Sequence, residues 1–233
     1  MADNRLAALK SSVIKANTMM NQLGCGNSWW FNQTTNPLYE ALGYPDTIDY
    51  CDYVNRYKRQ EIANRIVNAP VQGTWSHDPK IYEADNKNQD TDTAFETTFE
   101  KISVDVKLFY HLYKLDLLAT LGRYSVLFLG LNDNTDPALP ATKATGISFV
   151  SPIPENRAII QTWEDDISSP RYGLPLTYSI TATSGENVSI GSSGDATVAR
   201  TVHWSRTVHI AENSLDSEVY GIPYMMPVYN RLL

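Results

Sequence analysis

The chain has 233 residues, of which 42% are hydrophobic and 19% charged, and its formal net charge is −7 at pH 7. One large domain or two small ones fit this length, and 14 tyrosines are incompatible with a disordered chain. The acidic balance argues against a protein that coats nucleic acid by charge alone, because such proteins carry a net basic surface.

The first 45 residues are expected to form an arm and an irregular loop. Loosely helical spacing of apolar residues predicts a helix over residues 3–23, and the glycines that follow end it. Trp29 and Trp30, followed by a phenylalanine, then interrupt a polar stretch. An apolar triplet on a loop either buries itself as a lid or meets a partner. A contact between subunits is the favoured interpretation.

Two helices are predicted before residue 122. One apolar stripe predicts a helix over residues 48–68, with Pro70 following as a stop. A second helix is predicted over residues 93–121. It begins at Thr93 and Glu96, which fit a capping box, and a glycine ends it as the C′ residue. Its second half is apolar on nearly all sides, so we expect that half to be central and buried.

From residue 124 onward the apolar residues follow the pattern of strands. Helices first and strands second indicate an α+β fold and not an alternating α/β fold. We expect an arm over residues 1–45 and a single α+β domain over residues 46–233. An apolar, helix-like pattern starts at Tyr220 and halts early, which predicts that the domain is incomplete at its C-terminal end. Six strands are predicted between turn-forming residues, at 124–131, 147–150, 158–163, 174–181, 199–204 and 207–210.

A search for catalytic motifs finds no self-sufficient constellation. His203 and His209 are six residues apart and lack a flanking carboxylate, which disfavours a metal site. The segment His203-Trp204-Ser205 has the His-x-Ser form of two-histidine phosphoesterases, but the second motif that this chemistry needs is missing. No phosphate-binding GxxxxGK[ST] loop occurs either. We therefore predict a structural protein with no catalytic residue, no metal and no cofactor.

Four further features have ordinary structural interpretations. The carboxylates at 164–166 precede Ile-Ser-Ser-Pro, which is more typical of an acidic solvated turn than of a divalent-cation site. His111 is expected to be a hydrogen-bonded core residue. The longest apolar run, 126–131, is far shorter than the roughly 20 residues that span a bilayer, so no membrane contact is predicted. Cys25 and Cys51 lack CxxC spacing, so neither a disulfide framework nor a zinc site is implied.

Six motifs then follow one another in a specific order. They are LYEALGYP at 38–45, YKRQEIA at 57–63, LGRYSVL at 121–127, SPRYGLP at 169–175, VHWSRTVH at 202–209 and EVYGIP at 218–223. Each motif alone is modest, but the ordered set resembles the portal proteins of tailed bacteriophages. The similarity points to a branch whose N-terminal region is also found fused to phage anti-CBASS phosphodiesterases, which degrade the cyclic nucleotides of bacterial immunity.

This resemblance implies a structural subunit of the portal, or connector, a ring usually of twelve copies at one capsid vertex. Double-stranded DNA enters the capsid through the ring during packaging and leaves through it into the tail. The implied partners are other copies of the chain, the terminase large subunit, a head–tail adaptor, capsid and scaffold proteins, and the DNA itself. The implied location is the virion, preceded by the host cytoplasm during assembly. The implied fold is a portal wing that ends before the stem and clip.

The resemblance also suggests which side chains contact neighbouring subunits. Arginine suits such contacts because its planar guanidinium binds interface carboxylates. Arg171 and Tyr172 lie on a turn bounded by prolines, where a restricted backbone favours a defined contact. Core packing is the alternative explanation for each candidate. Beside Trp29 and Trp30, the candidates are Tyr57, Arg59, Arg171, Tyr172, His203 and Arg206.

Two other functions remain open from the sequence. The chain could be the non-catalytic N-terminal half of a phage anti-defence cyclic-nucleotide phosphodiesterase, which the downstream reading frame would reveal. It could also be a nucleic-acid-binding module working alone, which would require DNA affinity with a steep salt dependence.

Overall fold

The computed structural model describes residues 42, 44–45, 47–77, 79–83, 93–182 and 198–232. The helix predicted over residues 3–23 and the contact predicted at Trp29 and Trp30 lie outside these residues. Asp49–Leu233 forms one compact unit. Within it helices precede strands, so the predicted α+β class is confirmed.

The helical part has four helices among the described residues. They replace the two longer helices that the sequence predicts, so the prediction of continuous helices was wrong. Not one of them has the length and apolar character needed to cross a membrane. The helices are α1 (Tyr50–Arg59), α2 (Glu61–Thr74), α3 (Ala94–Asp105) and α4 (Leu108–Leu121).

The first break, between α1 and α2, lies at Gln60, whose backbone is extended at φ −119° and ψ 127°. The Gln60 side-chain amide and the Arg56 guanidinium both donate hydrogen bonds to the Leu232 carbonyl. Tyr229, from the same C-terminal segment, packs edge-on against Tyr53 at 5.5 Å between ring centroids. The break therefore places two donors against a segment about 170 residues later in the chain.

Helix α2 continues past Pro70, where the sequence predicts a stop. A proline inside a helix removes one backbone hydrogen bond, so the extra turn needs another source of stability. Val71 supplies apolar burial, since only 2% of it is exposed. The indole N–H of Trp75 also donates to the Asp116 carboxylate at 2.8 Å, which ties the end of α2 to α4.

The second break, between α3 and α4, lies at Lys107, which has a left-handed backbone with φ 51°. The predicted capping box at the start of α3 is confirmed: Thr93 Oγ1 accepts from the Glu96 N–H at 3.2 Å, and the Glu96 carboxylate accepts from the Thr93 N–H at 3.0 Å. The predicted helix end before Gly122 is also confirmed, but Gly122 is not left-handed (φ −111°). A Cβ there would lie 3.0 Å from the Tyr50 ring, which explains the glycine by close packing.

Helix α4 is buried in its second half, as predicted. Leu115 is fully buried and packs in one cluster with Leu127 and Val150 of the neighbouring strands. His111, near the start of α4, differs from its prediction. Its ring is half-buried against Tyr110, and its Nδ1 has no hydrogen-bond partner in the described part of the chain.

All six predicted strands are present, with shifted ends at four of them. They form two antiparallel three-stranded sheets, ordered β2-β1-β6 and β3-β4-β5. β2 runs past its predicted end through two prolines, which its position at a sheet edge permits. The strands are β1 (Ser125–Leu131), β2 (Ile147–Pro154), β3 (Ala158–Trp163), β4 (Pro175–Ala182), β5 (Val198–His203) and β6 (Thr207–Ile210).

The second apolar cluster lies between the two sheets and joins them into one core. It combines residues at the start of β1 with residues of the second sheet, among them Tyr124, Tyr178 and Val202. Tyr124 donates its hydroxyl to the Ala158 carbonyl at 2.9 Å, so one buried tyrosine links both sheets by packing and by a hydrogen bond.

Replacing Leu115 by alanine should create a cavity where α4 packs on β1 and β2. We expect Leu115→Ala to lower the free energy of unfolding by about 2–5 kcal/mol, measured by urea denaturation. Leu139→Ala is the matched control, because Leu139 is 54% exposed and its truncation should change stability by no more than about 0.5 kcal/mol. Equal losses for the two variants would contradict a central position for α4.

Candidate subunit-contact site

Three of the predicted contact residues converge on Trp204. The chain leaves the second sheet at the end of β5, makes one 3₁₀ turn over Trp204–Arg206, and enters the first sheet as β6. His203 and Arg206 flank this turn, and Arg171 reaches it from the loop between β3 and β4.

Arg171 lies flat against Trp204, with its guanidinium carbon 3.7 Å from the ring centroid. One Nη donates to the Pro175 carbonyl at 3.1 Å. The loop that carries Arg171 is closed by Gly173, which donates to the Glu164 carbonyl at 2.9 Å and has φ +77°. A left-handed backbone of this kind favours glycine. The guanidinium therefore has a fixed position, while Tyr172 beside it is 58% exposed.

His203 stabilises the turn that follows it. Its Nδ1 lies 2.9 Å from Ser205 Oγ and accepts from the Ser205 backbone N–H at 3.3 Å. Because Nδ1 is an acceptor, the proton of the neutral ring is on Nε2. Burial lowers the pKa of His203, and the charges of Arg171 and Arg206 lower it further. His203 is thus a neutral cap of the 3₁₀ turn.

Arg206 is 2% exposed and forms a two-pronged ion pair with Asp133. The Nη–Oδ distances are 3.0 and 2.5 Å, and Arg206 Nε donates to the Leu139 carbonyl at 3.4 Å. Hydrogen bonds from Arg206 are the main reason why the pKa of Asp133 falls to about 2. Arg206 therefore holds the loop after β1 against the turn, and its guanidinium is turned inward.

His209, on β6, lies between two tyrosine rings. Its ring stacks on Tyr124 at 4.9 Å and on Tyr178 at 6.0 Å. Nε2 donates to the Val219 carbonyl at 2.8 Å, and Nδ1 lies 3.1 Å from the Tyr178 hydroxyl. Burial lowers the pKa of His209 and raises the pKa of Tyr124 to about 12. The stack holds the two sheets together and attaches the segment after β6 to them.

A cavity of about 340 Å³ lies beside these residues. Arg171 and Trp204 border it, Tyr178 and His209 line it, and the exposed Glu218 also lines it. Around it, as elsewhere in the described residues, no three His, Cys, Asp or Glu side chains come close enough together to hold a metal ion.

Tyr57 and Arg59 lie on α1 and do not contact the Trp204 turn. The Tyr57 hydroxyl donates to Asn68 Oδ1 on α2 at 3.2 Å, so half-buried Tyr57 joins two helices. Arg59 is exposed and borders a hollow of about 300 Å³ together with Arg56 and Tyr229. The predicted contact residues therefore form two groups in the described structure, one on α1 and one at the turn.

Sequence reasoning did not assign three residues that organise this site. Trp204 lies inside the VHWSRTVH motif, between the candidates His203 and Arg206, so the sequence pattern could have identified it as part of the site. Asp133 and Tyr178 had no such signal, because their partners are 73 and 31 residues away. Two of the three carboxylates at 164–166 are solvated as predicted: Asp165 and Asp166 are exposed, and Asp166 accepts from the Ser168 N–H at 2.9 Å, while Glu164 is half-buried.

A family model described as phage portal protein matches residues 51–233. The matched range includes nearly all of α1, every later helix and strand, and the whole Trp204 site. No curated protein matches the chain.

Breaking the Arg206–Asp133 pair should destabilise the chain, because it leaves a carboxylate without its cation in a buried position. We expect Arg206→Met to lower the melting temperature by roughly 5 °C or more, measured by circular dichroism. Arg200→Met, on the exposed side of β5, is the control and should leave it nearly unchanged. Adding Asp133→Asn to Arg206→Met should restore part of the loss. The same melting temperature for both arginine variants would contradict a structural role for the pair.

Acidification should destabilise the chain partly through His209. Its folded pKa lies below the ordinary value of 6.5, so the unfolded chain binds the proton first as the pH falls. The contribution of His209 to stability is therefore fully present above about pH 6.5 and is lost as the pH falls below it, by at most about 1.4 kcal/mol per pH unit for one proton. We expect His209→Gln to flatten this decline in urea titrations between about pH 7.5 and 5. Exposed His77→Gln is the control, and equal slopes for both variants would contradict the assignment.

Proposed function

The chain belongs to the phage portal protein family, and on that premise we propose that it is a structural subunit of the portal ring at the capsid vertex. The ring forms part of the channel through which double-stranded DNA is packaged into the capsid and ejected from it. The family match over residues 51–233 is the single observation that carries this proposal.

Exposed apolar side chains support assembly into a ring. Ile62 on α2, Val104 on α3, and Ile167 in the loop between β3 and β4 are all more than half exposed. Exposing these apolar side chains to water is unfavourable, and burying them against another surface lowers the free energy. A ring requires two different contact surfaces on every copy, because neighbours meet head to tail. Apolar side chains spread over the helical and β parts fit that requirement.

We propose that the two groups of predicted contact residues belong to such surfaces. Tyr57 and Arg59 on α1 form one group, and Arg171 and Tyr172 beside the Trp204 turn form the other. His203 and Arg206 support the second surface without forming it: the His203 side chain caps the turn, and the Arg206 side chain holds the neighbouring loop. No catalytic residue, metal or cofactor is part of the proposal.

The finer assignments follow from the same premise. We propose a ring of twelve copies, with residues 46–233 as a wing domain and residues 1–45 as an arm. Its partners are the terminase large subunit, a head–tail adaptor, and capsid and scaffold proteins. It resides in the virion after assembly in the host cytoplasm. The net charge of −7 supports a position in the wing, away from the DNA, because a surface that binds DNA would be basic.

The purified full chain should form closed rings that electron microscopy of stained particles and native mass spectrometry can count. We expect Tyr172→Ala to reduce the fraction of chain in rings, because Tyr172 is an exposed aromatic side chain in a proposed contact. Tyr82→Ala is the matched control, since Tyr82 is similarly exposed at 53% and is not a candidate contact. A wild-type chain that stays monomeric at every concentration would contradict the portal role and favour a non-assembling function, such as the N-terminal half of a phosphodiesterase.

A further inference from the structure

Arg171 differs from Arg123 and Arg206, which both form ion pairs. Arg123 Nε lies 3.0 Å from the Glu155 carboxylate, and Arg206 pairs with Asp133. Arg171 has no carboxylate within ion-pair distance among the described residues, although it is half-buried. A partly buried cation without a counter-ion is costly, because it loses hydration and gains no opposite charge in return.

The Arg171 guanidinium is also held in place before any partner arrives. Trp204 lies against one of its faces, and the Pro175 carbonyl accepts from one Nη at 3.1 Å. Its Nε is buried without an acceptor in the described structure. A side chain that is already ordered loses little conformational entropy on binding, so its hydrogen bonds contribute more to affinity.

The cavity of about 340 Å³ beside Arg171 has room for a side chain. The polar groups opposite Arg171 are already engaged, because the Tyr178 hydroxyl and His209 bond to each other and His209 also binds the Val219 carbonyl. The one carboxylate in the lining, that of Glu218, makes no ion pair with Arg171 in the described structure. Arg171 is thus the charged group of the cavity lining that has hydrogen-bonding capacity left for a ligand. The group that complements a guanidinium is a carboxylate.

We propose that this cavity receives an Asp or Glu side chain from the neighbouring copy in the ring. The inference rests on the proposed function, which places a second copy against every subunit. Charge complementarity supports this occupant, since the chain has 26 acidic and 19 basic residues and therefore a surplus of carboxylates to offer. Exposed acidic residues such as Asp165, Asp166 and Asp216 are candidates for the donor.

The first test compares the assembly of Arg171 variants of the full chain by sedimentation velocity. We expect Arg171→Gln to weaken association by roughly 30-fold or more, because a desolvated charge pair loses one partner. Arg171→Lys should lie between Arg171→Gln and wild type, since it keeps the charge but loses the planar fork. Arg200→Gln removes the same charge from an exposed position on β5 and should assemble like wild type. Equal association for Arg171→Gln and Arg200→Gln would overturn the inference.

The second test identifies the carboxylate. Rings assembled from equal amounts of ¹⁴N- and ¹⁵N-labelled Arg171→Lys chains are treated with a carbodiimide, which joins the introduced amine to a carboxylate in contact with it. We expect cross-linked peptides in which position 171 of a chain with one label is joined to an Asp or Glu of a chain with the other label. Links within one chain, to Glu218 above all, or no link in assembled rings, would overturn the inference.

The two proposals fail in different ways. A wild-type chain that forms no ring contradicts the portal role, and the inference falls with it. A wild-type chain that forms rings while Arg171→Gln assembles normally leaves the portal role in place and removes only the carboxylate contact. Circular dichroism of each variant separates both results from a loss of folding.

Discussion

The stack of Tyr124, His209 and Tyr178 is the interaction on which the β part of the structure depends. Among the described residues each sheet has three strands, and a sheet this small needs its apolar face covered to be stable. The stack joins the residue just before β1 with residues of β6 and β4, so it crosses from one sheet to the other. His209 can serve there because both ring nitrogens have partners, one of them the Val219 carbonyl.

The Trp204 turn is held by contacts on both of its sides. The turn is one of two chain connections between the sheets in the described residues, the other being the short link from β2 to β3. The Arg206–Asp133 pair holds the loop after β1 against the turn. Arg171 lies on the other side, over the Trp204 ring. In the ring that we propose, a turn whose side chains are already held by contacts would favour assembly. Less conformational entropy is lost at each contact, so more of the contact energy contributes to assembly.

The helical part is organised by a contact with the C-terminal segment. Arg56 and Gln60 both donate to the Leu232 carbonyl, and Tyr229 packs between Tyr53 and Arg56. Two donors on one carbonyl, together with two aromatic rings, stabilise an interruption that the local sequence does not require. The α1–α2 break is therefore a tertiary feature, and it brings the exposed Arg59 to the rim of a hollow next to Tyr229.

The sequence alone determined the features that depend on neighbouring residues. Thr93 and Glu96 are three positions apart and satisfy each other's backbone groups, so the capping box was predictable. The six strands were predictable from their apolar runs. The portal family was predictable from its ordered motifs. The extended backbone at Gln60, the left-handed Lys107 and the pairing of Arg206 with Asp133 were decided by the tertiary structure. The partners of Gln60 and Arg206 are distant in sequence, and at Lys107 the helical pattern of the sequence continues through the break. Local propensity carries no information about contacts made only when remote segments meet.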